Sequence, residues 1–137
     1  VKTESDGVEK VLDQFELDCG FPIYTVKPKH EGKGSRGKPD RIWTVRGFTI
    51  GIEAKRIMSK GDESTLPTAY QTAELRDIKK AGGGACVVDI NSVDLFLELI
   101  SRCQSHMMDM NELLETDDYK NTFDIENWAV EMEEITL

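Results

Sequence analysis

The chain has 137 residues, 39% hydrophobic and 31% charged, and its 26 acidic against 17 basic side chains leave a net charge of −9. That length suits one domain with a real core and excludes two. No apolar run approaches the roughly 18 residues of a membrane span, the first residues carry no signal-peptide pattern, and Cys19, Cys86 and Cys103 form no CxxC pair, which argues against zinc and disulfides and for a reducing cytoplasm.

Taken in order, Val8, Val11, Leu12, Phe15 and Leu17 recur near helical spacing. They predict a helix from Val8 to Cys19, capped by Ser5 or Asp6 and stopped by Gly20. Ile23 to Val26 read as a short strand, and Lys27 to Lys38 as a loop rich in glycine and lysine. Asp40 opens a strand from Arg41 to Val45; Arg46-Gly47 turns the chain, and Phe48 to Ala54 run back. After a polar loop, Pro67 is expected as the first residue of a helix reaching Ala81, with Gly82, Gly83 and Gly84 ending it. Ala85 to Val88 lack polar alternation, as in a buried central strand, and a helix from Val93 to Cys103 closes the core. The order implies an α/β fold, a mixed central sheet flanked by helices. Residues 1–106 form the domain, and 107–137 form an acidic extension packed on it or at a dimer interface. Val1 in place of a methionine suggests a trimmed start.

Charge is unevenly spread. Lys27, Lys29, Lys33, Arg36, Lys38, Arg41, Arg46, Lys55, Arg56 and Lys60 crowd the middle, whereas the segment after Met107 is acidic around a lone Lys120. A local basic field, more than net charge, steers a polyanion. Within this region Glu53 and Lys55 lie two residues apart on a strand, so they share a face with Cα atoms roughly 6 to 7 Å apart. Asp40 stands at the head of the neighbouring strand. Two hard oxygen ligands beside a cation are what metal-assisted phosphodiester hydrolysis requires.

The stretch GKPDRIWTVRGFTIGIEAKR, residues 37–56, resembles the PD-(D/E)xK nucleases, with Pro39-Asp40 and Glu53-x-Lys55 as the two halves of the signature. Gly37, Gly47, Gln71 on the following helix, Gly82 and the strand Ala85 to Val88 extend the likeness, over about residues 5–90, to the VRR-NUC branch. That branch contains small phage nucleases, some of them Holliday-junction resolvases. The resemblance implies a restriction-endonuclease-like core and a Mg²⁺ or Mn²⁺ ion on Asp40, Glu53 and the Ala54 carbonyl. Glu9 would reach the same cluster, one or two ions being open. It further implies that Lys55 orients or deprotonates the attacking water and that Gln71 holds that water or a phosphate oxygen. Lys27, Lys29, Lys33, Arg36, Lys38, Arg41 and Arg56 are the expected DNA contacts.

The function so implied is structure-selective DNA cleavage, in branched duplex such as a four-way junction, by a twofold homodimer in a phage-infected or bacterial cytoplasm. A restriction-type or end-acting nuclease, and a silent nuclease fold that binds nucleic acid or protein, are the other readings. Gly32 to Lys38 fit the pattern of a phosphate-binding loop, but Pro39 replaces its Ser or Thr and a strand follows. The apolar Phe123, Ile125, Trp128 and Val130 of the extension either complete the core, form a dimer contact, or belong to an acidic flap that competes with DNA.

Overall fold

The computed structural model describes residues 4–28, 37–105 and 109–131. Four strands form one sheet in the order β1 (Tyr24–Val26), β2 (Arg41–Val45), β3 (Phe48–Ala54) and β4 (Gly84–Val88). The pairs β1/β2 and β2/β3 are antiparallel and β3/β4 is parallel, so the sheet is mixed. Helix α1 (Glu4–Asp18) precedes the sheet, α2 (Ala69–Lys80) links β3 to β4, and α3 (Val93–Ser105) follows. Two single-turn helices, α4 (Met110–Leu114) and α5 (Asp117–Lys120), come after α3. No helix among the described residues is long and apolar enough to cross a membrane.

The hairpin is local chemistry. Arg46 and Gly47 both have positive φ, 52° and 82°, the pair that a two-residue turn matched to strand twist requires. From that turn Val45 pairs with Phe48 and Arg41 with Ile52. Alternation then sorts the sheet faces. Ile50, Ile52 and Ala54 of β3 and Cys86 and Val88 of β4 join Val8, Leu12, Trp43, Phe96 and Ile100 in the larger core, beneath α1 and α3. Ala85 and Val87 face the opposite way, toward Leu75 of α2 and Ile125.

Several boundaries differ from the sequence reading: α2 ends at Lys80, β4 takes in Gly84, and α3 runs on to Ser105. Helix α1 starts at Glu4, so Ser5 and Asp6 lie inside it. The β1 strand omits Ile23. Pro67 is not the first residue of α2: Thr68 is the N-cap, with a reciprocal capping box to Gln71.

The acidic extension packs on the same domain. Tyr119, Phe123 and Ile125 are fully buried, and the Val87 amide donates to the Phe123 carbonyl at 2.9 Å. The chain there lies beside β4 through a bridge between Cys86 and Asp124. Three of its acids pair with α2. Arg76 meets Glu126 at 2.7 Å and Glu131 at 2.6 Å, and Lys79 meets Asp124 at 2.8 Å.

Gly37, just before β2, packs tightly against α2. Its φ is +81°, and a Cβ there would stand 2.6 Å from the Tyr70 carbonyl carbon and oxygen. Gly37→Ala is expected to destabilise the fold by more than about 1 kcal/mol in urea unfolding, because it combines backbone strain with a clash against main chain. An unchanged midpoint would show that the backbone at Gly37 shifts without cost.

Candidate functional site

The hairpin register builds the site. One step beyond the Arg41–Ile52 pair, Asp40 falls opposite Glu53, so β2 enters the sheet where β3 is leaving it. The Ala54 amide donates to Asp40 Oδ2 at 2.8 Å, which ties the head of β2 to the end of β3. The Lys55 amide donates to the Val88 carbonyl at 2.9 Å and continues the ladder to β4. Glu9, Asp40, Glu53, Ala54, Lys55, Arg56, Ser64, Thr65 and Gln71 line one cleft of about 370 Å³. Every ligand and catalytic position expected from sequence is therefore in a single place.

Glu53 is the unusual member. It is 2% exposed, and its Oε2 is buried with no hydrogen-bond partner. Burial, then the charge of Asp40 across the hairpin and the hydrogen bond that a protonated Glu53 shares with it, push its carboxyl up to about 10; Lys55 pulls the other way. Oε1 accepts from Gln71 Nε2 at 3.3 Å. Gln71 can reach it because the capping box fixes its side chain: Oε1 of Gln71 accepts from the Thr68 amide at 2.8 Å, leaving the amide nitrogen for Glu53. A threonine followed three residues later by glutamine is the local signal for this device.

An orphan carboxylate oxygen beside a second carboxyl calls for a proton or a hard cation. The donors here are oxygens, which suits Mg²⁺ or Mn²⁺ and not thiophilic metals. No three His, Cys, Asp or Glu side chains among the described residues converge as a ready-made cage. Two carboxylates with main-chain oxygen and water would make up the ligand set, a composition Mg²⁺ accepts because it retains several waters.

The basic residues divide. Arg56 is exposed at the cleft. Lys27 pairs with Asp13 at 2.7 Å and Lys38 with Glu74 at 3.2 Å, both partly exposed. Lys29, Lys33 and Arg36 lie outside the described residues. Arg41 needs correction as a DNA contact: it is fully buried, with Glu9, Asp13 and Glu16 of α1 around its guanidinium. No phosphate can reach it there. Its identity as a cation at a strand start gave no hint of this; the hint lay in acids at 9, 13 and 16, one face of a helix. Ser64 and Thr65 of the cleft wall went unpredicted, since nothing in a polar loop marks which residues fold back.

The sequence matches no protein-family model and has no significant match among curated proteins.

Proposed function

We propose that this chain is a divalent-cation-dependent DNA endonuclease of the PD-(D/E)xK type, similar to the VRR-NUC nucleases, acting on branched duplex as a homodimer. The observation that carries the reading is the convergence of Asp40, Glu53, Lys55 and Gln71 on one cleft, with a buried Glu53 oxygen lacking any partner. Asp40 and Glu53 would hold the ion together with the Ala54 carbonyl. When bound, such an ion polarises a phosphodiester and acidifies a coordinated water.

The side chains do the rest. Gln71 keeps Glu53 in one rotamer, so that its second oxygen stays turned from the helix. Lys55 lines the cleft, where its ammonium orients the attacking water and offsets charge gathering on the phosphate, and where its neutral amine would take that water's proton. Arg56 supplies an exposed cation for an adjacent backbone phosphate. Branched DNA and the dimer rest on the family likeness and on a simple argument: one small chain with one cleft must pair to nick two strands symmetrically.

The test is cleavage of labelled four-way junction, flap, linear duplex and single strand in Mg²⁺ and in Mn²⁺, with Lys55→Ala beside the parent protein. Paired symmetrical nicks in the junction are expected, slowed at least about 100-fold in the variant. Cutting of the other substrates alone would keep a nuclease and discard the junction. No cleavage of any substrate by a folded, Mn²⁺-binding protein would leave a silent nuclease fold that binds nucleic acid.

A further inference from the structure

Arg41 occupies a position that its burial alone does not explain. Its Nη1 donates to Glu16 Oε1 at 2.9 Å, and its Nη2 reaches Glu9 Oε2 at 2.5 Å and Asp13 Oδ1 at 3.0 Å. Glu16 Oε1 also accepts from Trp43 Nε1 at 2.6 Å and from Thr25 Oγ1 at 2.9 Å. Glu16 is thus engaged on the scaffold side, far along α1 from the cleft residue Glu9. Arg41 follows Asp40 directly, so one end of this network is covalently joined to a proposed ion ligand. The other end is Glu9, which lines the same cleft as Asp40 and Glu53.

The two oxygens of Glu9 are treated differently. Oε2 is held by Arg41, while Oε1 is buried without any hydrogen-bond partner. Glu53 Oε2 is in the same condition across the cleft. Two unpartnered carboxylate oxygens bordering one polar cleft are costly unless something cationic, or the water such a cation carries, comes between them.

We propose that Arg41 is a positioning residue: its guanidinium fixes Glu9 through one oxygen and so presents the other to the water shell of a cation held by Asp40 and Glu53. The inference rests on the proposed metal site and adds a residue outside it. No three acids among the described residues converge as a direct cage, and an outer contact of Glu9 through ion-bound water is the role that fits the lining of the cleft. A partner of that kind typically governs metal affinity by about 10- to 100-fold.

Mn²⁺ binding, followed by calorimetry and by the electron paramagnetic resonance of free Mn²⁺, tests this without any cleavage assay. The parent protein, Asp40→Ala, Glu9→Gln, Arg41→Lys, the double variant of the last two, and Glu16→Gln are compared. Glu9→Gln and Arg41→Lys are each expected to weaken Mn²⁺ binding about 10-fold or more, and their combination to weaken it no further than Glu9→Gln alone. Glu16→Gln, which disturbs the scaffold side of the same guanidinium, should stay within about twofold of the parent.

Additive losses in the double variant, parent-like binding by Glu9→Gln, or an equal loss in Glu16→Gln would overturn the assignment. Should Arg41→Lys not fold, the contrast between Glu9→Gln and Glu16→Gln decides the matter. Failure of the parent to bind Mn²⁺, or binding indifferent to Asp40→Ala, would remove the metal site itself. A loss confined to Asp40→Ala would spare that site and remove only the role of Arg41.

Discussion

Glu53→Gln is expected to eliminate Mn²⁺ binding and cleavage while making the protein more stable. The loss of activity should reach at least about 10³-fold, the several kcal/mol that a Lewis-acidic ion contributes to such a reaction. The gain in stability follows from what the parent must do without an ion. A buried carboxyl with one unpartnered oxygen, beside Asp40, holds its proton up to about pH 10, against an ordinary value of 4.5. The unfolded chain releases that proton near the ordinary value. Between those two pH values the unfolded state therefore binds fewer protons, and stability falls as pH rises. This contribution is fully present below about 4.5 and exhausted above about 10.

Glutamine carries no such proton. In chelated buffer the variant should nearly match the parent near pH 5 and exceed it by about 4 kcal/mol at pH 8. Adding Mn²⁺ should reverse the order, because only the parent is stabilised by the ion. Thermal melts at several pH values, with and without Mn²⁺, supply the comparison. Parallel pH curves for the two proteins would refute the account of Glu53, and undiminished cleavage would remove it from the site.

Phe123→Ala is expected to cost about 3 to 5 kcal/mol, the range for an aromatic ring deleted from a closed core. Phe123 is one link in a line of rings crossing the α1/α3 side of the sheet. Phe21 packs on Phe15, Phe15 on Trp43, Trp43 on Phe96, Phe96 on Phe123, and Phe123 on Tyr119, with centroids 5.6 to 6.0 Å apart. Deleting the chain after Cys103 would strip two rings from that line, together with Met110, Leu113 and Ile125. Such a truncation should lose its cooperative unfolding transition and bind a dye for exposed apolar surface. A removable acidic flap predicts a folded, tighter DNA binder instead. A sharp melt after truncation would therefore favour the flap and contradict the packing account.

What could be read from sequence was what short-range chemistry decides. The β2–β3 hairpin was legible to the residue because a turn with two positive φ values fixes register, and register in turn fixed which acids face each other. That Gln71 would stand beside Glu53 in the candidate cleft was legible, yet the reason it points there was not, since the helix start was placed at Pro67 and not at the Thr68 cap. Arg41 was misread because a cation serves a phosphate or three carboxylates equally well, and only the packing of α1 on the sheet decides between them. The extension was the least legible. Among the described residues its apolar side chains sit on three short helical turns and a lone bridge, and none of these repeats long enough to leave a period.

Gly51 has a further consequence. It lies beneath α2 two residues before Glu53, and a Cβ there would stand 2.6 Å from Ile78 Cδ1 and 3.1 Å from Leu75 Cδ2. The bare backbone at this point sets the height at which the helix rides over the sheet. A side chain there must either push aside the tips of Ile78 and Leu75 or act as a shim under the helix. Raising α2 by even about 1 Å would part Gln71 from Glu53, whose contact at 3.3 Å is already near the limit of a hydrogen bond. The clearance between helix and strand is thus the gauge to which the mouth of the cleft is cut, and a single hydrogen atom keeps it.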